Sequence, residues 1–253
     1  MTPAKRAKKR RPAKVGARPV PARLALPALE GHVYTAPDGV RGFDANQHIT
    51  PEMAAAFFKH GYRFCVRYVR RANRHAYDLT HGEAAGLLDA GIGLMIVQHV
   101  APEGWTPTVK DGASYGSTAA AESANVGVPP GVMVWCDLEG VAPTAPAQQV
   151  IDFCNAWHSA VAAAGFVPGL YVGFGAGLSP TQLYRDLRFT HYWSAYNLNA
   201  DQYPAIRGVQ MRQAERTAAD KVSGYSFEFQ TDTVGADKLG GRPTLLAREG
   251  WLD

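Results

Sequence analysis

The chain has 253 residues, 46% of them hydrophobic, a length that an α/β barrel commonly uses as one domain and a composition that supports a substantial core. No stretch approaches the roughly 18 uninterrupted apolar residues of a membrane span. The formal net charge of +4 hides an asymmetry: nine Lys and Arg residues and no acid precede Glu30, and the remainder carries 17 basic against 22 acidic residues, a net of −5. An acidic remainder disfavours a broad nucleic-acid surface.

Residues 1–30 read as a disordered basic tail. They are rich in Ala, Pro, Lys and Arg without helical or strand periodicity, a composition suited to weak contact with acidic polymers. Leu24 to Leu29 is too short and Pro-broken for a secretory signal, and no apolar segment follows the pair Arg10-Arg11. Residues 31–253 read as one domain.

From residue 40 the chain alternates short apolar runs with amphipathic segments. Val40 to Asp44 is predicted as a first strand, and Thr50-Pro51-Glu52-Met53 opens a helix to about His60 with an N-cap Thr and a first-turn Pro. Arg63 to Val69 is a second strand, Thr80 to Ala90 a second helix, and Gly93 to Val100 a third strand. A helix within Gly112 to Val126 leads to the fourth strand, Val132 to Glu139. The longest helix, Ala145 to Ala164, stops at Gly165. Strands follow at Gly169 to Phe174, His191 to Tyr196, Gly208 to Arg212 and Tyr225 to Thr231, with a short helix over Pro180 to Leu187. Eight strands with crossover helices predict a single (β/α)₈ TIM-like barrel whose helices weaken in the last third. A doubly wound dinucleotide-binding sheet is disfavoured, because Gly42-Phe43-Asp44-Ala45-Asn46 lacks the required glycines.

Cys65, Cys136 and Cys154 each lie in an apolar run, and their odd number argues for small buried side chains rather than a disulfide framework. No Cys/His spacing suits zinc, so neither a metal nor a cofactor is expected.

The fourth strand carries the chemistry. Its apolar run ends in Asp137-Leu138-Glu139, and a side-chain period of two puts both acids on one face, at the strand end where parallel barrels build active sites. The other strand ends add Asp44, Arg67 or Arg70, Gln98 or His99, Tyr171, Trp193 and Tyr196, and Gln210 or Gln213. The last strand adds Glu228, Gln230 and Asp232. Acids, aromatics and amides, with no Ser or Cys nucleophile paired to a His, suit a carbohydrate. Glycoside cleavage needs one carboxyl to protonate the leaving oxygen and another to support an oxocarbenium-like transition state, and crowding separates their pKa values.

Gly42-Phe43-Asp44, Trp135-Cys136-Asp137-Leu138-Glu139, Tyr192-Trp193-Ser194-Ala195-Tyr196 and Val209-Gln210 together resemble the bacterial glycoside hydrolase-like (Rv-type) TIM barrels, formerly a domain of unknown function. These are distantly similar to the family 25 lysozymes (muramidases). The resemblance covers about Val40 to Arg248 and implies Glu139 as general acid, Asp137 orienting the substrate or its acetamido group, and Asp44 as a further carboxylate. It also implies an acid on the last strand, Glu228 or Asp232. It implies a peptidoglycan-like amino-sugar polymer as substrate, with a non-catalytic glycan-binding or structural barrel as the alternative. A wall substrate would require delivery by phage lysis or a specialised secretion route. On strand two the chain departs from the lysozymes: Arg67-Tyr68-Val69-Arg70-Arg71 stands where those enzymes carry a Lys and a Thr-Glu-Gly-like segment. Arginines there are expected either to depress the pKa of the acids or to bind an anionic group of the ligand.

Overall fold

The computed structural model describes residues 27–215, 222, 225 and 229–252. The basic segment 1–26 and Glu228 therefore lie outside the described residues. Strands β2 (Arg41–Ala45), β3 (Phe64–Val69), β4 (Gly93–Gln98), β5 (Met133–Leu138), β6 (Val167–Val172), β7 (Tyr192–Ser194) and β8 (Met211–Ala214) pair parallel in chain order. β9 (Gln230–Val234) closes the ring between β8 and β2. The eight strands form a closed barrel.

Helices cover the first part of the barrel as expected: α1 (Pro51–Lys59), α2 (His81–Asp89), α3 (Val109–Val126), α4 (Ala147–Ala163) and the short α5 (Pro180–Arg185). Thr50, Thr80, Thr108 and Ser179 cap α1, α2, α3 and α5 through their hydroxyls. Two expectations are corrected. The eighth strand starts later than Tyr225 and runs antiparallel to both neighbours, so the barrel is mixed rather than all-parallel. The register Ala214↔Thr231 means that the chain turns back at the end it has just reached. The sequence pattern also missed two short strands, β1 (His32–Thr35) and β10 (Thr244–Ala247). They pair with each other, and β10 reaches the barrel through Leu246↔Leu94. Four-residue strands give too little alternation to recognise.

Alternation along the strands sorts the hydrophobic residues into two cores. Phe64, Val66, Met95, Val97, Met133, Trp135, Trp193, Met211 and Val234 fill the barrel, and Trp251 joins them. Phe43, Cys65, Leu94, Ile96, Val134, Cys136, Leu138 and Leu170 face outward against the helices. The three cysteines are free and buried. Inside, Trp135 lies against Gly169 on β6, where an added Cβ would fall 2.2 Å from the indole. Gly169→Ala is therefore expected to cost about 1–3 kcal/mol by overpacking, read as a lowered urea midpoint; an unchanged midpoint contradicts this packing.

Candidate functional site

The in/out alternation that buries Met133 and Trp135 inside the barrel also turns Asp137, and beyond the strand Glu139, toward its carboxyl-end mouth. The Trp105 indole N–H donates to the Glu139 carbonyl at 2.9 Å, fixing the strand exit. The Glu139 side chain leans over β6 into space kept open by Gly173, where a Cβ would come within 2.3 Å of Glu139 Oε2. Glu139 also lines an open cavity of about 280 Å³ with Val100, Ala101, Glu103, Gly140 and Phe174.

Three further acids sit behind it. Asp44 on β2 accepts a hydrogen bond from Gln213 Nε2 at 2.9 Å, and the Tyr68 hydroxyl lies 3.4 Å from its other oxygen. Tyr171 in turn donates from its hydroxyl to Gln213 Oε1 at 3.0 Å. Asp232 on β9 is fully buried, and its carboxyl oxygens complete no hydrogen bond; the Trp193 indole and the Asp44 carboxyl are the polar groups that act on it. Asp137 Oδ1 and the indole nitrogens of Trp135 and Trp193 are likewise buried without a partner among the described residues.

Burial raises all four carboxyl pKa values. It pushes Asp44 up to about 6 against the hydrogen bonds from Gln213 and Tyr68. It lifts Asp137 well above the usual range, with help from the charges of Glu139 and Asp44. Asp232 is also raised well above that range by burial and then by Asp44, and Glu139 is raised by burial. Among the described residues no arginine acts on any of them, Arg67 and Arg70 included, which corrects the expected depression.

The strand-two arginines are directed elsewhere. Arg67 shares the outward face of β3 with Cys65 and Val69, and is fully buried against Glu83 Oε1 at 2.7 Å and the carbonyls of Ala45 and Tyr77. It is a structural ion pair and offers nothing to a ligand. Arg70 and Arg74 both pair with Glu122 on α3. Gln98 also points outward, donating to the Arg70 and Tyr115 carbonyls and accepting from the Trp157 indole. Gln210 is bound to the Tyr192 backbone N–H, the Thr190 carbonyl and Asp237. Neither amide serves the mouth, and on β8 that position belongs to Gln213. Trp193 is buried beside Trp135 and Tyr171, where it supports the acids from below. Tyr196 is 50% exposed at the rim.

The structure therefore brings Asp44, Asp137, Glu139, Asp232, Tyr171 and Trp193 together. The sequence reading missed Tyr68 and Phe174. Tyr68 had a legible signal, since it lies one residue from Arg67 and hence on the opposite face of the strand. Phe174 is 71% exposed, in a loop where no periodicity could mark it. Among the described residues no group of three His, Cys, Asp or Glu side chains is arranged to hold a metal ion.

The sequence profile of the "Rv2525c-like, glycoside hydrolase-like domain" matches residues 55–233. No curated protein shows significant sequence similarity to the chain. Among solved structures, the Mycobacterium tuberculosis Tat-secreted protein Rv2525c in complex with L-tartrate is 14% identical with a TM-score of 0.57, the match covering 80% of this chain and 98% of that one. The lysozyme from Streptomyces coelicolor is 15% identical with a TM-score of 0.56, covering 79% and 94% of the two chains. A family 25 glycosyl hydrolase from Bacillus anthracis is 12% identical with a TM-score of 0.55, covering 83% and 95%. At these identities the likeness to solved structures is one of fold.

Raised carboxyl pKa values mean that the folded chain holds more protons than the unfolded one. Their stabilising contribution is full below about pH 4 and is lost as pH rises through 6, the value for Asp44, and beyond. Asp232→Asn replaces a buried acid with a neutral isostere. It should leave the urea midpoint near its wild-type value at pH 4.5 and raise it at pH 8. A midpoint unchanged or lowered at pH 8 contradicts the assignment.

Proposed function

The chain belongs to the Rv2525c-like glycoside hydrolase-like family, and we propose that it hydrolyses glycosidic bonds in peptidoglycan or a related amino-sugar polymer. The observation that carries this reading is Glu139: it lines an open cavity, and burial raises its pKa above the ordinary carboxyl value. A carboxyl so placed is suited to protonate the leaving glycosidic oxygen. Asp137, on the same strand face, is the group to orient the substrate or its acetamido substituent. Burial pushes Asp44 up to about 6 while the hydrogen bonds from Gln213 and Tyr68 favour its ionised form, so Asp44 is ionised above that pH. It supplies negative charge behind the reacting carbon, and Asp232 serves as its buried neighbour. Phe174 and Tyr196, exposed at the rim, offer flat apolar faces to sugar rings.

The same burial also favours a second reading, a glycan-binding barrel without chemistry. With Asp137 and Asp232 both raised well above the usual range, few of the acids are ionised at neutral pH to act as a base.

Glu139→Gln separates the two. For a hydrolase it should lower reducing-sugar release from purified peptidoglycan by at least about a hundredfold while folding and glycan binding persist. Wild-type protein that binds a glycan panel and releases nothing supports the binding module. Gly173→Ala tests the geometry from outside the acid itself: displacing Glu139 should lower release while the urea midpoint moves little, and full activity would show that Glu139 needs no such space.

A further inference from the structure

The loop after β3 and the end of β4 hold a cluster that the acids do not use. His99 Nε2 lies 2.8 Å from Asp78 Oδ1, and Asp78 Oδ2 accepts from the His75 backbone N–H at 2.7 Å. Asp78 is buried, so it fixes the imidazole as an orienting carboxylate does. Burial keeps His99 toward its neutral form, in which Nε2 carries the proton given to Asp78 and Nδ1 keeps a lone pair. That Nδ1 has no partner among the described residues.

The surrounding surface is aromatic and continuous with the mouth. The His75 and Tyr77 rings stack with centroids 5.6 Å apart and an interplanar angle of 13°, and His75 lies 4.6 Å from His99. Tyr77 is 40% exposed. On its other side His99 packs on Tyr68, the residue whose hydroxyl reaches toward Asp44.

The charge of this rim is positive where that of the Glu139 cavity is negative. Arg70 and Arg74 share one carboxylate, Glu122. Arg71 has none among the described residues. Its guanidinium lies over the Tyr115 ring, and its Nε donates to the carbonyl of Val100, a residue of the Glu139 cavity wall. An unpaired guanidinium held by stacking is preorganised for a carboxylate.

We propose that His75, Tyr77, His99 and Arg71 form a subsite for a sugar ring bearing a carboxylate, next to the Glu139 cavity. The ring stacks on Tyr77 and His75, a ring hydroxyl donates to His99 Nδ1, and the carboxylate pairs with Arg71. Asp78 is a positioning residue acting through His99. The inference rests on the glycan reading above and adds its charge specificity. The carboxylate belongs either to a uronic acid or to a lactyl ether of an amino sugar.

The test is calorimetric titration of the full chain carrying Glu139→Gln with three tetrasaccharides: one containing muramic acid, tetragalacturonate, and uncharged chitotetraose. At least one carboxylated sugar should bind about tenfold more tightly than chitotetraose. Preference for the first assigns the lactyl ether, and preference for the second the uronate. Adding Arg71→Gln should abolish the preference and leave chitotetraose binding unchanged, whereas Tyr77→Ala should weaken every ligand that binds. A preference that survives Arg71→Gln, or no preference at all, overturns the subsite alone. Failure of every saccharide to bind overturns the glycan reading with it.

Discussion

Adjacent residues of a barrel strand cannot share a face, and this constraint keeps the acids of this chain apart from its buried arginine. On β3, Arg67 is turned out toward Glu83 while Tyr68 is turned in toward Asp44. On β5, Cys136 and Leu138 pack against the helices while Asp137 and Glu139 go to the mouth. The outer layer thus neutralises its own cation, and no arginine among the described residues acts on the four carboxyls. Desolvation is the largest influence on the protonation of each.

The four acids are not equivalent in consequence. Asp44 accepts from Gln213, which is itself held by Tyr171, so a hydrogen-bond chain running across the barrel favours its ionised form. Asp232 accepts no comparable hydrogen bond among the described residues and is wholly enclosed. Two carboxyls on neighbouring strands in such different settings hold a proton unequally, the arrangement that lets similar groups take different parts in one reaction. Asp137 and Glu139 differ in the same sense, since only Glu139 lines the open cavity.

Much of this was legible in the chain itself. The period of two placed Asp137 and Glu139 together, Thr50 and Pro51 marked the start of α1 and Gly165 the stop of α4, and the apolar runs located seven parallel strands. The assignments that failed were those depending on which way a polar side chain turns at a strand end. Arg67 and Gln98 sit in the expected strands but face the outer layer, where Glu83 and Trp157 receive them, and Gln210 falls just before β8 and is held by Asp237. Those partners lie far along the chain, and no local pattern announces them. The direction of β9 was hidden for a similar reason: the alternation of a strand reads alike in either sense.

The pairing of β1 with β10 has a consequence for how the molecule is made. His32 to Thr35 find their partners only in Thr244 to Ala247, at the other end of the described chain. During synthesis the first strand emerges from the ribosome with no edge to join, while β2 to β7 can assemble in order behind it. Closing so long a loop is entropically costly and is repaid only when the final strand arrives. The lower end of the barrel, where Trp251 joins the interior core, is therefore the last part to be sealed and the natural place for opening to begin.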